Sequence, residues 1–232
     1  MIGQVWAWLT DPAQWSGPNG IPVRLVEHLR ISGLALLLAC LVALPVAVWL
    51  GHVGRGGFLA INVGNVGRAI PTYALLVIFA SMDPIGVGET AAVLALAVFA
   101  LPPLLTNTYV AMRQVDPEVK DAARGMGMTG GQLLRRVELP LALPFSFAGL
   151  RTTTVQVVAT ATFAALVGGG GLGRYVVDGF GLQDPAQLYG GVVLVALLSV
   201  VVELLLAAVQ RRITRRTRTR ARAPEPEAVT AS

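Results

Sequence analysis

The chain has 232 residues, 54 % of them hydrophobic and 13 % charged, with a mean hydropathy of +0.66 and a formal net charge of +5. That balance excludes an ordinary soluble core and implies long uncharged runs suited to a bilayer. Its one cysteine, Cys40, excludes an intrachain disulfide, and its two histidines, His28 and His52, stand far apart without neighbouring ligands, which argues against a metal site.

In chain order, residues 1–22 hold Trp6, Trp8 and Trp15 among Pro and Gly, and read as an external segment anchored in the membrane interface. No basic start followed by an apolar core is present, so a cleavable signal is not expected. A transmembrane helix needs roughly 20 mostly apolar residues, and five runs qualify: 31–50, 58–82, 87–110, 143–167 and 188–210. The second carries Asn62, Asn65 and Arg68 ahead of Ile70-Pro71, so it either bends at Pro71 or begins in the interface. The expected fold is an all-α, polytopic membrane protein. Its membrane domain covers 23–210, and a basic tail, 211–232, is expected to be disordered.

Basic residues orient these spans. With the N-terminus outside and the C-terminus in the cytoplasm, Arg55, Arg113, Lys120, Arg124, Arg135, Arg136 and the tail arginines lie inside. Only Arg24, Arg30 and Arg174 then remain at the outer side, as the positive-inside rule requires. The tail arginines sit beside a span and so face anionic lipid headgroups rather than nucleic acid.

The loop 116–140 is the most informative segment, being polar and doubly capped between apolar runs. Asp116 is a good N-cap, Pro117 suits the first helical position, and Glu118 complements the helix dipole. A helix is therefore predicted from Pro117, stopping near Gly127 in a left-handed turn. Thr129 and Gln132 form a capping box that starts a second helix, predicted to end before Pro140. Ala122 and Ala123 carry little bulk, so another protein can approach the backbone closely.

The order Asp121, Ala122, Ala123, three residues, Gly127, nine residues, Val137, one residue, Leu139, Pro140 resembles the cytoplasmic coupling loop of permease subunits in binding-protein-dependent ABC importers. In that loop Glu stands for Asp121 and Ile for Val137. Residues 68–76, 101–129 and 138–173 are similar to the osmoprotectant branch, which imports glycine betaine, choline and carnitine; methionine importers share the loop. The resemblance implies a type I importer fold with two permease subunits, identical or different, in a cell membrane. It also implies two cytoplasmic ABC ATPases docked on the loop and an extracellular solute-binding protein. No cofactor is expected in this chain, with ATP and Mg on the partner ATPase.

Gly168 to Arg174 reads GGGGLGR, but a phosphate-binding Walker loop ends in Lys and Ser or Thr, and the sole lysine is Lys120. The glycines are expected to form a tight turn, and ATP hydrolysis is expected in a partner, so the chain itself is not read as an enzyme. Thr153, Gln156 and Thr160 share one helical face; with Asn107 they either line a solute path or hydrogen-bond between helices. Glu203 lies within a span, where a charge is costly and faces a cavity or a partner. A transport subunit is thus set against a membrane scaffold or sensor with no transported solute.

Overall fold

In lipid each backbone N–H and C=O must find its partner inside the protein, and a chain this apolar meets that demand with α-helices. The computed structural model describes residues 1–221. Helix α1 (Ile2–Thr10) and a 3-10 turn (Pro12–Trp15) precede α2 (Ile21–Val53), α3 (Gly57–Ala69), α4 (Thr72–Ser81) and α5 (Glu89–Arg113). Then come α6 (Pro117–Gly125), α7 (Gly130–Leu133), a π-helical turn (Leu134–Glu138) and α8 (Leu139–Thr160). A 3-10 segment (Ala161–Val167), α9 (Gly173–Gly181) and α10 (Pro185–Ala221) complete the order.

Four segments are long and apolar enough to cross a membrane: α2, α5, the run Gly130–Val167 and Pro185–Arg215. The fifth is the α3–α4 pair, bent by 85°. Pro71 explains the bend, because it lacks an N–H and drives Ile70 to an extended conformation, φ −75° and ψ 121°.

Helix α5 is central. A stripe on α2, Ile31, Ala35, Ala39, Ala43, Ala47 and Gly51, recurs every fourth residue and is buried, and α2 packs along α5 through small side chains that let the backbones approach. Leu96, Ala100 and Leu104 of α5 belong to the same core, and Val157 of α8 closes it. At the end away from the 116–140 loop, Gly168, Gly170 and Gly171 take φ of 76°, 84° and 78°, forming the tight turn. There Glu27 of α2 accepts hydrogen bonds from the Gly171 N–H and from Arg24, both at 2.8 Å.

Three expectations are corrected. Helix α2 begins at Ile21, ten residues before 31, because Gly20 and then Pro22 in the first turn favour a start there. Helix α10 continues to Ala221, so residues 211–221 are helical rather than disordered; arginine is a good helix former and extends a span already formed. The rest of the tail, 222–232, lies outside the described residues. Trp8, expected in the interface, packs edge-on against Tyr175 at 5.1 Å and lies against Gly190, fastening α1 to α10. Trp6 and Trp15 do remain exposed.

A Cβ at Gly51 would overlap the Met112 side chain, whereas one at Gly33 would meet nothing within 4 Å. Gly51→Val should therefore destabilise the purified chain by about 1–3 kcal/mol, and Gly33→Ala should be neutral or stabilising by up to about 1 kcal/mol. Thermal unfolding in detergent, comparing both variants with the parent, measures the difference.

Candidate functional site: an open groove and a capped loop

Between α5 and α8 runs a groove of about 800 Å3, open along one side. Its α5 wall carries Phe99, Pro103, Asn107 and Ala111 at four-residue intervals, with Gln114 beyond them. Its α8 wall carries Ala148, Thr152, Gln156 and Thr160 at the same interval. The repeat places one ridge of each helix along the groove. Gly149 brings the walls together, since a Cβ there would overlap Asn107. Among the described residues none that lines the groove is charged.

All four residues singled out for a path, Asn107, Thr153, Gln156 and Thr160, line this groove, but they are not equivalent. Gln156 is exposed in it, and Asn107 and Thr160 are half-buried. Thr153 is fully buried, and its hydroxyl donates to the Gly149 carbonyl at 3.0 Å, so it packs rather than presents a polar group. Thr152, Gln114, Phe99 and Phe145 escaped the sequence reading. The four-residue stripes could have found Thr152 and Phe99; Gln114 and Phe145, the latter 58 % exposed, lie off them.

The loop folds largely as its local chemistry dictates. The Asp116 carboxylate accepts from the Glu118 N–H at 2.9 Å, and Gly127 takes φ 79°. Thr129 N–H donates to Gln132 Oε1 at 2.9 Å, and Gln132 N–H returns to Thr129 Oγ1 at 3.4 Å, completing the capping box. The second helix, however, does not stop before Pro140. It passes through the π turn into α8, with Leu139 N–H bonded to the Leu134 carbonyl, and this wider turn accommodates a proline in the first turn of α8.

Of the loop residues named from spacing, Asp121, Ala122, Gly127, Leu139 and Pro140 are exposed and Val137 is half-buried. Ala123 is buried, so it faces this chain's own interior, and its neighbour Ala122 is the one open to a partner. Val119, Ala122 and Met126 form an exposed stripe at three- and four-residue spacing. Beneath it lies an ionic junction that sequence reading missed. Glu138, 1 % exposed, receives Lys120 Nζ at 3.3 Å on one oxygen and His52 Nδ1 at 2.5 Å on the other. Lys120 Nζ also donates to the Met112 carbonyl at 3.2 Å. The junction thus joins α2, α5, α6 and the π turn at one buried carboxylate.

Glu203 has a partner in Arg151 of α8. Arg151 Nε donates to Glu203 Oε2 at 3.0 Å, Nη2 donates to Oε1, and Nη1 reaches Gln210 Oε1 at 2.8 Å. The two-point pairing satisfies the charge that sequence left alone.

Residues 35–219 match the family described as binding-protein-dependent transport system inner membrane component. The chain is 37 % identical over 188 residues to the glycine betaine/carnitine/choline transport system permease protein OpuCB of Bacillus subtilis (strain 168), covering 81 % of this chain and 86 % of that protein. It is 38 % identical over 191 residues to the choline transport system permease protein OpuBB of the same bacterium, with 82 % and 87 % covered. Among solved structures it is similar to the inward-facing MetNI methionine ABC transporter, with a TM-score of 0.75, 26 % identity and 88 % and 99 % covered.

Removing Glu138 takes the carboxylate from the buried Lys120 ammonium and from the half-buried His52 ring, leaving Lys120 only the Met112 carbonyl. Glu138→Ala should cost about 3–5 kcal/mol, whereas the double change Lys120→Met with Glu138→Leu should recover much of that, because breaking a buried pair costs more than replacing it. A double-mutant cycle on denaturation of the purified chain measures the coupling.

Proposed function

Because the chain belongs to the family of binding-protein-dependent transport system inner membrane components, we propose that it passes quaternary ammonium osmoprotectants, such as glycine betaine, choline and carnitine, through its α5–α8 groove. It is a multi-pass membrane permease of an ABC transport system. The observation carrying the substrate reading is identity of 36–38 % to three permeases named for choline, carnitine or glycine betaine transport. The methionine transporter, at 26 %, is a more distant relative.

The groove's chemistry supports the same solutes. A quaternary ammonium ion donates no hydrogen bond and is best held by aromatic faces, which Phe99 and Phe145 offer. The amides of Asn107, Gln114 and Gln156 can meet the carboxylate or hydroxyl of such a solute. Without a charged wall the site holds its cargo weakly, and a weakly bound solute leaves quickly. High-affinity capture belongs to a separate extracellular solute-binding protein. A second permease subunit, identical or different, completes the passage on the open side of the groove.

Energy enters through the loop. The cytoplasmic ABC ATPases, which carry ATP and Mg, dock on the stripe of Val119, Ala122 and Met126 and on the turn at Gly127. This requires the N-terminus outside and the C-terminus in the cytoplasm, the orientation the basic residues favour. The chain contributes no catalytic residue of its own.

Uptake of labelled glycine betaine, choline, carnitine and methionine by the complete reconstituted complex tests the substrate class. Uptake of methionine alone would overturn it. Phe145→Ala should raise KM for choline about threefold, the scale of an exposed cation–π contact. Ala122→Trp should leave a folded permease whose uptake falls at least about tenfold, as loss of a central interface contact would; full uptake by this variant would remove the loop from energy coupling.

A further inference from the structure

A second groove, of about 400 Å3, lies between α8 and α10, lined by Arg151, Ala207, Gln210, Arg211, Thr214 and Arg215. The chemistry along α10 changes sharply at this point. Val200 and Leu204, on the same stripe of the helix as Arg211 and Arg215, are 55 % and 62 % exposed, an uncovered apolar surface of the kind lipid chains cover. Arginines begin within two turns of Leu204.

The level of the groove follows from the helix register. Arg151 is twelve residues along α8 from Leu139, about 18 Å at 1.5 Å per residue. The far end of α8 leads through the 3-10 segment to α9, which packs on the start of α10, so α8 and α10 run in opposite directions. Arg211 and Arg215 therefore lie beyond Arg151 toward the end of the bundle that carries the loop. Arg151, Arg211 and Arg215 all line the groove, and the innermost, Arg151, is bonded to Glu203.

We infer that this groove binds the phosphate headgroup of an anionic phospholipid, with its acyl chains against Leu204 and Val200. Planar guanidinium groups match phosphate oxygens two at a time. A basic pocket between membrane helices, at the boundary of apolar and charged surface, is where a headgroup phosphate lies. A headgroup seated there bridges α10 to α8, the helix continuous with the loop. Assignment to the cytoplasmic leaflet rests on the orientation proposed above.

The test uses the purified full chain with its co-purifying subunits in nanodiscs of phosphatidylglycerol and phosphatidylcholine, each lipid supplied in turn as a photoactivatable probe. The phosphatidylglycerol probe should label α10 between 200 and 215 in preference to the phosphatidylcholine probe. Arg211→Gln and Arg215→Gln should each lower that labelling about fivefold, with Arg151 left intact to keep its pair with Glu203. Equal labelling by phosphatidylcholine, or no change in the variants, would overturn the site. Displacement of the lipid probe by millimolar inorganic phosphate would replace the lipid with a soluble anion and overturn it as well. In a Cys40→Ala background, Thr129→Cys labelled from outside overturns the leaflet and the orientation together while the groove stands. Loss of lipid preference with Thr129→Cys labelled from the cytoplasm overturns the groove alone.

Discussion

The close approach of α2 to α5 is the contact on which the rest of the structure depends. In a bilayer, apolar surface gains nothing by leaving lipid for another helix, so association relies on packing that lipid cannot match. The four-residue stripe of alanines ending at Gly51 provides it, turning two helices into one platform. One side of α5 is then committed to α2 and another remains for α8, which sets the width of the polar groove. The end of that platform nearest the 116–140 loop also places His52 beside Glu138. The loop is therefore fixed to the same pair of helices that shapes the groove.

The two working surfaces differ in how they treat charge. The groove has polar amides, hydroxyls and two phenyl rings, and no ionised group lines it. Two ion pairs lie elsewhere between helices: Lys120 with Glu138, which His52 also meets, and Arg151 with Glu203. A fixed ion in the groove would bind an opposite charge tightly and repel a like one, and either effect slows passage of a solute carrying both. The Lys120–Glu138 and Arg151–Glu203 pairs instead lock helices together.

What sequence reveals here is what is local. The caps at Asp116, Thr129 and Gln132 and the turn at Gly127 involve residues within a few positions of each other, and the loop adopts them as read. Spans follow from hydropathy, and the bend at Pro71 from the missing N–H. The failures are of another kind. Pro140 reads as a stop because an α-helix cannot hold it in its interior, yet a π turn removes the conflict, and nothing in the local sequence announces that turn. Ala123 faces inward because of how α6 is rotated on the bundle, a tertiary fact. Glu203 finds Arg151 fifty-two positions away, and Glu138 finds His52 eighty-six away; only the packed helices bring such pairs together. The groove is intermediate, since its stripes are visible on each helix but their facing is not.

The unbroken path from Gly130 to Val167 has a mechanical meaning. A hinge between loop and span would let either move while the other stayed still. Here the helical rod is continuous, and Gln156 stands 26 residues from Gly130, about 39 Å along it. A rod of that length acts as a lever: a small tilt imposed at its short polar end sweeps a larger arc at the groove. The π turn, with its wider coil, and Pro144 within α8 interrupt its regular α-helical bonding, and Glu138 at the π turn is pinned by Lys120 and His52. The pin holds that turn to α2 and α6, so loop and groove wall belong to one helical path anchored at a single carboxylate.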